Sequence, residues 1–312
     1  MNAGRSKQDI ADTEKQEGVL FLGIKDGKEH YLHPSDKEHP KPYIVRRVPN
    51  VREALVAGPG WRILVTDYSQ VEMRIMAAES NDLWMLEVLN SGSDIYCLIA
   101  ADLYGASYEE VCEGYKNRDS KYEGWRSDAK GVALGVPYGL TAKGMAEKRG
   151  ISEEKAQDII DRYKGKAHVL SAWLENNAAN AVNLGISTGN TGHYRFYQLP
   201  HPDDEDFEER ISQIKRWAKN HPIQSGCASL LKMAVGKMYL DFRNGVSSGP
   251  NMYDAHFLLF VHDELVITAP VEHVENVKQI MIDDSKWAFK KFWKDAVDFP
   301  VKVTVADYYK KD

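Results

Sequence analysis

Residues His256–Thr268 read His-Phe-Leu-Leu-Phe-Val-His-Asp-Glu-Leu-Val-Ile-Thr, two apolar runs that are separated by polar residues. Such runs, with a short polar interruption, predict two β-strands joined by a tight turn. The turn would hold His262 and Asp263, and Glu264 would begin the second strand. Adjacent acids raise each other's pKa unless a cation lies beside them. The hairpin is therefore a candidate metal site, and a solvated acidic turn is the alternative interpretation.

A second candidate carboxylate lies at the end of another short apolar strand. Residues 62–74 read Arg-Ile-Leu-Val-Thr-Asp-Tyr-Ser-Gln-Val-Glu-Met-Arg, so that Asp67 ends the apolar run. Apolar side chains then recur at helical spacing, which predicts one helix over residues 71–90. Asp67 could bind a cation at the end of its strand. The alternative is that Asp67 or Ser69 caps the following helix.

A third segment carries positive charge. Arg126, Lys130 and Leu134 are four residues apart within a helix predicted over residues 120–136, so they lie near one helix face. An arginine fork and a lysine point charge can together bind a triphosphate. The alternative is an ordinary solvated basic face. Pro137 should end or kink this helix, because proline lacks the backbone donor and disfavours a helical residue before it.

The order of strand and helix signals indicates the fold class. A hairpin is predicted around Asp26-Gly27, and a closing strand is predicted over residues 301–305. Between these ends the signals are mainly helical, including separate helices over residues 207–219 and 225–242. We therefore expect an α+β fold, in which a long helical insertion interrupts an antiparallel sheet.

Composition sets wider limits. The chain has 312 residues, 43% of them hydrophobic, which suits a globular protein with a real core. Its net charge of −6 argues only mildly against nucleic-acid binding, since a local basic cleft can coexist with acidic flanks. The three cysteines show no paired spacing, which argues against a disulfide framework or a zinc site and fits a reducing cytoplasm. We expect neither a secretory signal nor a membrane span.

Taken together, the three segments resemble motifs A, B and C of the DNA polymerase I family (family A), in that chain order. The resemblance is carried by DYSQVEMR at residues 67–74, by the K…G..YG frame at residues 130–139 and by VHDE at residues 261–264. Weaker agreement comes from residues 61–65 and 220–224. It implies a polar tail (1–18), a palm in two parts (19–80 and 220–312) and fingers (81–219).

The resemblance implies two-metal nucleotidyl transfer. Asp67 and Asp263 would hold two Mg²⁺ ions about 3.5–4 Å apart, with Mn²⁺ as a substitute. Glu264 would assist them, and Lys130 would act both in catalysis and, with Arg126, in binding the incoming triphosphate.

Further residues would recognise the nucleotide. Tyr138 would stack near the templating base, and Gln70 and Leu134 would contact the nucleotide. Glu72 would leave no room for a 2′-hydroxyl group. Single-subunit RNA polymerases do not share the Gln-Val-Glu pattern or the His-Asp-Glu turn, so dNTP is expected as the substrate rather than rNTP.

Other residues would contact primer–template DNA. His262 would touch the primer terminus, although a simple turn residue is the alternative. Arg216, Asn220, Gln224 and Gly139 would contact the duplex or order the site.

The chain also departs from the family's pattern. No thumb or exonuclease segment is recognisable before Asp67, which predicts fingers and palm only, low processivity and no proofreading. Another polypeptide could supply the missing parts. Leu134 in place of an aromatic residue suggests a phage or prophage origin, hence the cytoplasm of a bacterial or phage-infected cell. Two other functions stay open: a primase-polymerase-like enzyme that starts chains, and a weakly catalytic or non-catalytic nucleic-acid-binding subunit.

Leu134 gives a test of the implied nucleotide site. A branched aliphatic side chain cannot stack on a sugar or base as an aromatic ring does, so we expect weak incorporation of dideoxynucleotides. Leu134→Tyr should raise dideoxynucleotide incorporation over that of the parent in primer extension. An unchanged preference for deoxynucleotides over dideoxynucleotides would contradict this role.

Overall fold

The computed structural model describes residues 51–243, 249–261 and 263–310, together with three strands nearer the N-terminus. The chain divides into two compact units, residues 1–55 and 56–312. The first unit contains a three-stranded antiparallel sheet of β1 (Leu20–Lys25), β2 (Lys28–Leu32) and β3 (Tyr43–Ile44). Lys25 pairs with Lys28, which confirms the predicted hairpin, although Asp26 and Gly27 themselves lie outside the described residues.

The second unit contains the remaining strands and the α-helices. In chain order these are β4 (Trp61–Tyr68), α1 (Val71–Ser80), α2 (Leu83–Asn90), α3 (Ile95–Tyr104), α4 (Tyr108–Lys116), α5 (Ser120–Gly135), α6 (Ala142–Arg149), α7 (Glu153–Lys166), α8 (His168–Leu184), β5 (Ile186–Thr188), β6 (Tyr194–Phe196), α9 (Phe207–Phe242), β7 (His256–Val261), β8 (Glu264–Pro270), α10 (Val274–Trp293) and β9 (Val301–Ala306). Among the described residues, no helix has the length and apolar character needed to cross a membrane.

A four-stranded antiparallel sheet organises this unit, with strand order β7-β8-β4-β9. Its inner strand β4 pairs with β8 on one side, where Val65 faces Val266, and with β9 on the other, where Val65 faces Thr304. Strands from both ends of the unit thus share one sheet, and the helices α1 to α9 lie between β4 and β7 in the chain. The predicted α+β class, with a helical insertion in an antiparallel sheet, is confirmed.

Helix α10 packs against β4, β8 and β9, and helices α1 and α9 pack against α10 within one continuous apolar core. The buried Tyr68 at the end of β4 shows how tightly they fit, because its hydroxyl lies 3.0 Å from the Ser285 Oγ of α10. Its ring also packs against Phe299, with centroids 5.4 Å apart. The end of β4 is therefore held by both a hydrogen bond and ring packing.

The single helix predicted over residues 71–90 is wrong, since the structure has two helices there. Asn81 adopts a left-handed conformation that ends α1, and the Asp82 side chain then caps α2. The other oxygen of Asp82 accepts hydrogen bonds from the backbone amides of Val169 (3.1 Å) and Leu170 (3.0 Å) at the start of α8. A buried carboxylate that caps two helices outweighs the continuous apolar spacing that suggested one helix.

The two helices predicted over residues 207–219 and 225–242 are in fact one, because α9 continues through Pro222. Proline removes one helical hydrogen bond and normally breaks a helix. Pro222 is buried, and Gly189 approaches it so closely that a Cβ on Gly189 would lie 3.0 Å from the Pro222 Cβ. Tertiary packing thus keeps the helix continuous. The fingers–palm boundary placed at residues 219/220 falls inside α9 and stays a prediction.

A buried acid joins α9 to α10. Asp284 of α10 is only 4% exposed, and its Oδ1 lies 3.5 Å from the Nζ of Lys237 on α9. Lys237 also pairs with Asp241 at 2.5 Å. Burial, together with the nearby Asp241 carboxylate, raises the pKa of Asp284 to about 7, although Lys237 partly offsets the rise.

This raised pKa predicts a pH-dependent stability. Between about pH 4 and pH 7 the folded protein keeps a proton on Asp284 that the unfolded chain releases, so the free energy of unfolding should fall as pH rises through that window. Asp284→Asn should remove this dependence. We expect it to raise the free energy of unfolding at pH 8 by on the order of 1 kcal/mol, and to change it little at pH 4.5.

Urea unfolding at both pH values measures this effect, and the exposed neighbour Asp283 supplies the control variant, Asp283→Asn. If the parent and Asp284→Asn lose stability equally between pH 4.5 and pH 8, Asp284 does not carry the proton.

Candidate active site

One open pocket of about 370 Å³ is lined by seven of the fourteen residues that were predicted to form the site. The carboxylates Asp67 and Asp263 line it from the sheet, and Arg126, Lys130 and Leu134 line it from α5. The turn between β4 and α1 adds Gln70, and the first turn of α1 adds Glu72. Two aromatic residues outside the sequence motifs, Tyr96 and Tyr115, complete the wall. The tertiary structure therefore joins the three sequence segments in one site.

Strand pairing places the two carboxylates together. Asp67 lies near the end of β4, and Asp263 lies in the turn just before β8, which runs antiparallel to β4. The end of one strand and the start of the other thus lie at the same end of the sheet. There the backbone ladder ends, and the buried Thr66 hydroxyl accepts a 2.9 Å hydrogen bond from the Leu265 amide. This bond links the residues that adjoin the two acids.

The segment between β4 and α1 is held by hydrogen bonds from a buried arginine side chain. Gln70, at the cap position, is left-handed with φ 55°, and no side-chain cap bond is formed there among the described residues. Gln70, and not Asp67 or Ser69, thus occupies the N-cap position of α1. The buried Arg74 donates from Nε to the Ser69 carbonyl at 3.0 Å and from Nη1 to the Leu89 carbonyl at 3.4 Å. A buried guanidinium thus anchors the turn that follows Asp67.

Two cations from α5 reach the pocket in different ways. Lys130 is exposed, whereas the Arg126 side chain is only 20% exposed. The Nε and Nη2 of Arg126 both lie 2.8 Å from one oxygen of Asp94. Its guanidinium carbon also lies 4.4 Å from the centre of the Tyr115 ring and 5.1 Å from that of Tyr96. Arg126 is therefore held in place before any ligand binds, and Lys130 extends toward solvent.

A polar group from α9 meets the pocket beside α1. Gln224 Nε2 donates to Glu72 Oε1 at 2.9 Å, which connects two residues that were assigned to different motifs. Burial, and then the charge of Glu72, raises the pKa of Tyr138, so this phenol stays protonated at neutral pH. Leu134 lines the pocket and contributes no polar atom. Glu72 and Leu134 thus line this wall of the pocket, and Gln224 holds Glu72 from outside the lining.

The end of α5 approaches α9 at a glycine. The helix ends at Gly135, so the predicted end before Pro137 is confirmed. Gly139 then has φ +95°, and a Cβ there would lie 3.2 Å from the Arg216 Cγ of α9. A larger residue would be strained both by its backbone and by Arg216. Gly139 and Arg216 are therefore neighbours, as a shared DNA-contacting role would require.

Other predicted residues lie outside the pocket lining. Glu264 is buried, accepts a hydrogen bond from the Tyr309 hydroxyl and does not line the pocket. Asn220 lies on α9 and is half-buried, and it does not line the pocket. His262 lies outside the described residues. The structure thus brings Asp67 and Asp263 together without Glu264.

Some residues of the site have no signal in the local sequence. Asp94 caps α3, and its side chain accepts hydrogen bonds from the amides of Tyr96 (2.9 Å) and Cys97 (3.3 Å). Its second contact, with Arg126, joins residues from two helices and has no signal in local spacing. Tyr115 likewise belongs to none of the sequence motifs. It reaches the pocket only because α4 packs on α5.

The donor set of the pocket fits a hard divalent cation. Asp67 and Asp263 supply carboxylate oxygens, the ligands that Mg²⁺ prefers. Among the described residues no group of three or more His, Cys, Asp or Glu side chains could enclose a metal. Mg²⁺ commonly takes one or two carboxylates and completes its shell with water and substrate phosphates. The open pocket suits that mode of binding, because substrate and cation can enter together.

Comparison with known proteins gives a consistent result. The sequence model of DNA polymerase family A matches residues 42–311. DNA polymerase I of Bacillus subtilis is 30% identical over 257 residues, which is 82% of this chain and 26% of that protein. The thermostable DNA polymerase I of Thermus aquaticus is 30% identical over 263 residues, 82% of this chain and 28% of that protein. The chain thus spans about a quarter of the length of these relatives.

A solved structure is also similar. The POL domain of Pol1 from M. smegmatis, in a complex with DNA primer-template and dNTP, superposes with a TM-score of 0.70 at 25% identity. The match covers 93% of this chain and 47% of that one. It therefore includes nearly all of the sheet and helices described above.

The Thr66–Leu265 hydrogen bond gives a test of how the carboxylates are held. Thr66→Val keeps the side-chain shape but leaves the buried Leu265 amide without its acceptor, which should cost about 1–3 kcal/mol of stability. It should also speed hydrogen exchange at the Leu265 amide. Thr66→Ser keeps the hydroxyl and should preserve that protection. Equal exchange at Leu265 in both variants would show that the bond does not hold this end of the sheet.

Proposed function

Because this chain belongs to DNA polymerase family A, we propose that it is a template-directed DNA polymerase that adds dNTPs to a primer 3′-hydroxyl group. The observation that carries the proposal is one pocket that is lined by the acids Asp67 and Asp263 and by the cations Arg126 and Lys130. Phosphoryl transfer needs mainly positioning and charge stabilisation, and a pocket with paired acids opposite paired cations supplies both.

The carboxylates would hold the metal ions of the reaction. Bound to Asp67 and Asp263, two Mg²⁺ ions would lower the pKa of the primer hydroxyl and neutralise the leaving pyrophosphate, and Mn²⁺ could replace them. The pairing of β4 with β8 keeps both acids at one end of the sheet, so the protein need not rearrange to assemble the donor set. Glu264, held by Tyr309, would stabilise β8 beneath the site rather than bind a metal.

The cations of α5 would bind the triphosphate. Arg126 is already oriented by Asp94, and its remaining donors can form charge-assisted bonds with phosphate oxygens. Lys130 is exposed at the pocket and can follow the charge that develops on the leaving group. Because a lysine ammonium is a flexible point charge, Lys130 is better suited to stabilising the charge on the leaving group than to fixing the orientation of the triphosphate.

The opposite wall would select the sugar and the base. Glu72, fixed by its hydrogen bond from Gln224, would block the space of a 2′-hydroxyl group, which favours dNTP over rNTP. Leu134 and Gln70 would contact the nucleotide from the pocket wall. Tyr138, protonated at neutral pH, would lie beside the templating base.

Primer–template DNA would bind along α9 and the adjoining turn. Arg216 is exposed on α9 next to Gly139. Gln224 is also exposed and lies further toward the C-terminal end of the same helix. Asn220 lies between them, and His262 would reach the primer terminus. The POL domain from M. smegmatis was solved with primer-template and dNTP, which supports the same two ligands for this chain.

Primer extension with a labelled primer–template, dNTPs and Mg²⁺ or Mn²⁺ tests the proposal. Asp67→Asn and Asp263→Asn should each reduce kcat by about 100-fold or more, a loss of about 2.7 kcal/mol in transition-state stabilisation. The control is Asp203→Asn, which removes a 91% exposed acid and should leave the rate unchanged.

A parent protein that does not extend a primer would overturn the proposal. Activity that survives either active-site change would overturn the assignment of the metal-binding carboxylates. Products from an unprimed template with dNTPs would favour the chain-starting alternative.

A further inference from the structure

A ring from outside the sequence motifs holds the cation of the proposed triphosphate site. Tyr115 is the last aromatic residue of α4, and its ring centre lies 4.4 Å from the guanidinium carbon of Arg126. At that distance an arginine is attracted to the electron-rich face of the ring. The Tyr115 side chain also lines the pocket and is 37% exposed, so it is not part of the buried core.

The position of Tyr115 is built into the contact between α4 and α5. Its neighbour Gly114 lies against the Tyr122 ring so closely that a Cβ on Gly114 would be 2.0 Å from the ring. Only glycine permits this approach, and the buried Val111 anchors the same helix one turn earlier. Tyr115 therefore faces Arg126 as a consequence of packed helices.

Two other residues act on the same guanidinium. Asp94 binds its Nε and Nη2 through a single oxygen, while Tyr96 approaches at 5.1 Å. Asp94 and Tyr96 belong to the first turn of α3, where Asp94 is also the helix cap, and Tyr96 is buried. Both serve the fold as well as the site. Tyr115 is the contact that can be altered with least effect on the core.

We propose that Tyr115 is a positioning residue that holds Arg126 ready for the triphosphate of the incoming nucleotide. A free arginine side chain samples many rotamers, and binding must otherwise remove that entropy. A guanidinium already held by a carboxylate and by ring contacts loses less entropy when phosphate arrives. Tyr115 would thus strengthen ground-state binding of every dNTP alike, because all four share the triphosphate.

This inference rests on the proposed function, so its test includes a binding measurement that needs no catalysis. Tyr115→Leu removes the ring, and Tyr115→Phe keeps it. A cation–π contact at a partly exposed site contributes about 0.5–1 kcal/mol, or more when it is desolvated. We therefore expect Tyr115→Leu to raise KM for each of the four dNTPs by roughly 2- to 5-fold with kcat unchanged, and Tyr115→Phe to match the parent.

Calorimetric titration with inorganic triphosphate and Mg²⁺ should show the same order, with Kd raised by Tyr115→Leu and unchanged by Tyr115→Phe. The Tyr115→Leu effect should also shrink when Arg126→Lys is already present, because a lysine lacks the planar group that stacks on the ring. Affinity for primer–template should stay at the parent value in Tyr115→Leu, and thermal unfolding checks that each variant is folded.

Several outcomes would overturn the inference. They are a parent that does not bind triphosphate, a KM unchanged by Tyr115→Leu, equal effects of the leucine and phenylalanine variants, and an undiminished effect in the Arg126→Lys background. If the parent fails to extend primers but still shows the Tyr115-dependent binding of triphosphate, the proposed function fails while the role of Tyr115 stands.

Discussion

The antiparallel pairing of β4 with β8 is the constraint on which the site depends. It joins an early and a late part of the unit, and it places Asp67 and Asp263 at one end of the sheet. The strands on either side, β9 and β7, complete the sheet, and the core side chains of β4 are fully buried beneath the helices. Because register in a half-buried sheet is strongly specified, a slip of one residue would turn a carboxylate away from the pocket.

A second feature of the protein is that its charged groups are held by other parts of the fold before any substrate binds. Arg74 is buried and fixed by main-chain carbonyls, and Arg126 is fixed by Asp94 and by ring contacts. Gln224 likewise holds Glu72 across two helices. In a reaction that depends on positioning and electrostatics, such preorganisation lowers the cost of binding and leaves few groups to reorient. Lys130 is the exposed exception among the proposed ligand contacts of α5.

Much of this could be predicted from local sequence. The hairpin that contains Asp263, the helix that carries Arg126 and Lys130, and the end of that helix before Pro137 all follow from spacing and turn chemistry, and the structure confirms them. The errors have one cause. Asp82 divides a predicted helix and also caps a distant one, and Pro222 lies buried inside a helix where Gly189 packs against it. Local rules fail where a distant residue supplies the deciding contact.

By itself the sequence determined the antiparallel α+β class, since hydrophobic period and turn residues act over a few positions. It also determined the three motifs and their order, through their resemblance to family A. Only the tertiary structure decided that Asp94 and Tyr115 hold Arg126, that Gln224 holds Glu72, and that Glu264 faces Tyr309 although Asp263 beside it lines the pocket. These contacts join residues from different helices and strands, and their energies depend on burial and on distances of a few ångströms. Such quantities exist only once the chain has packed.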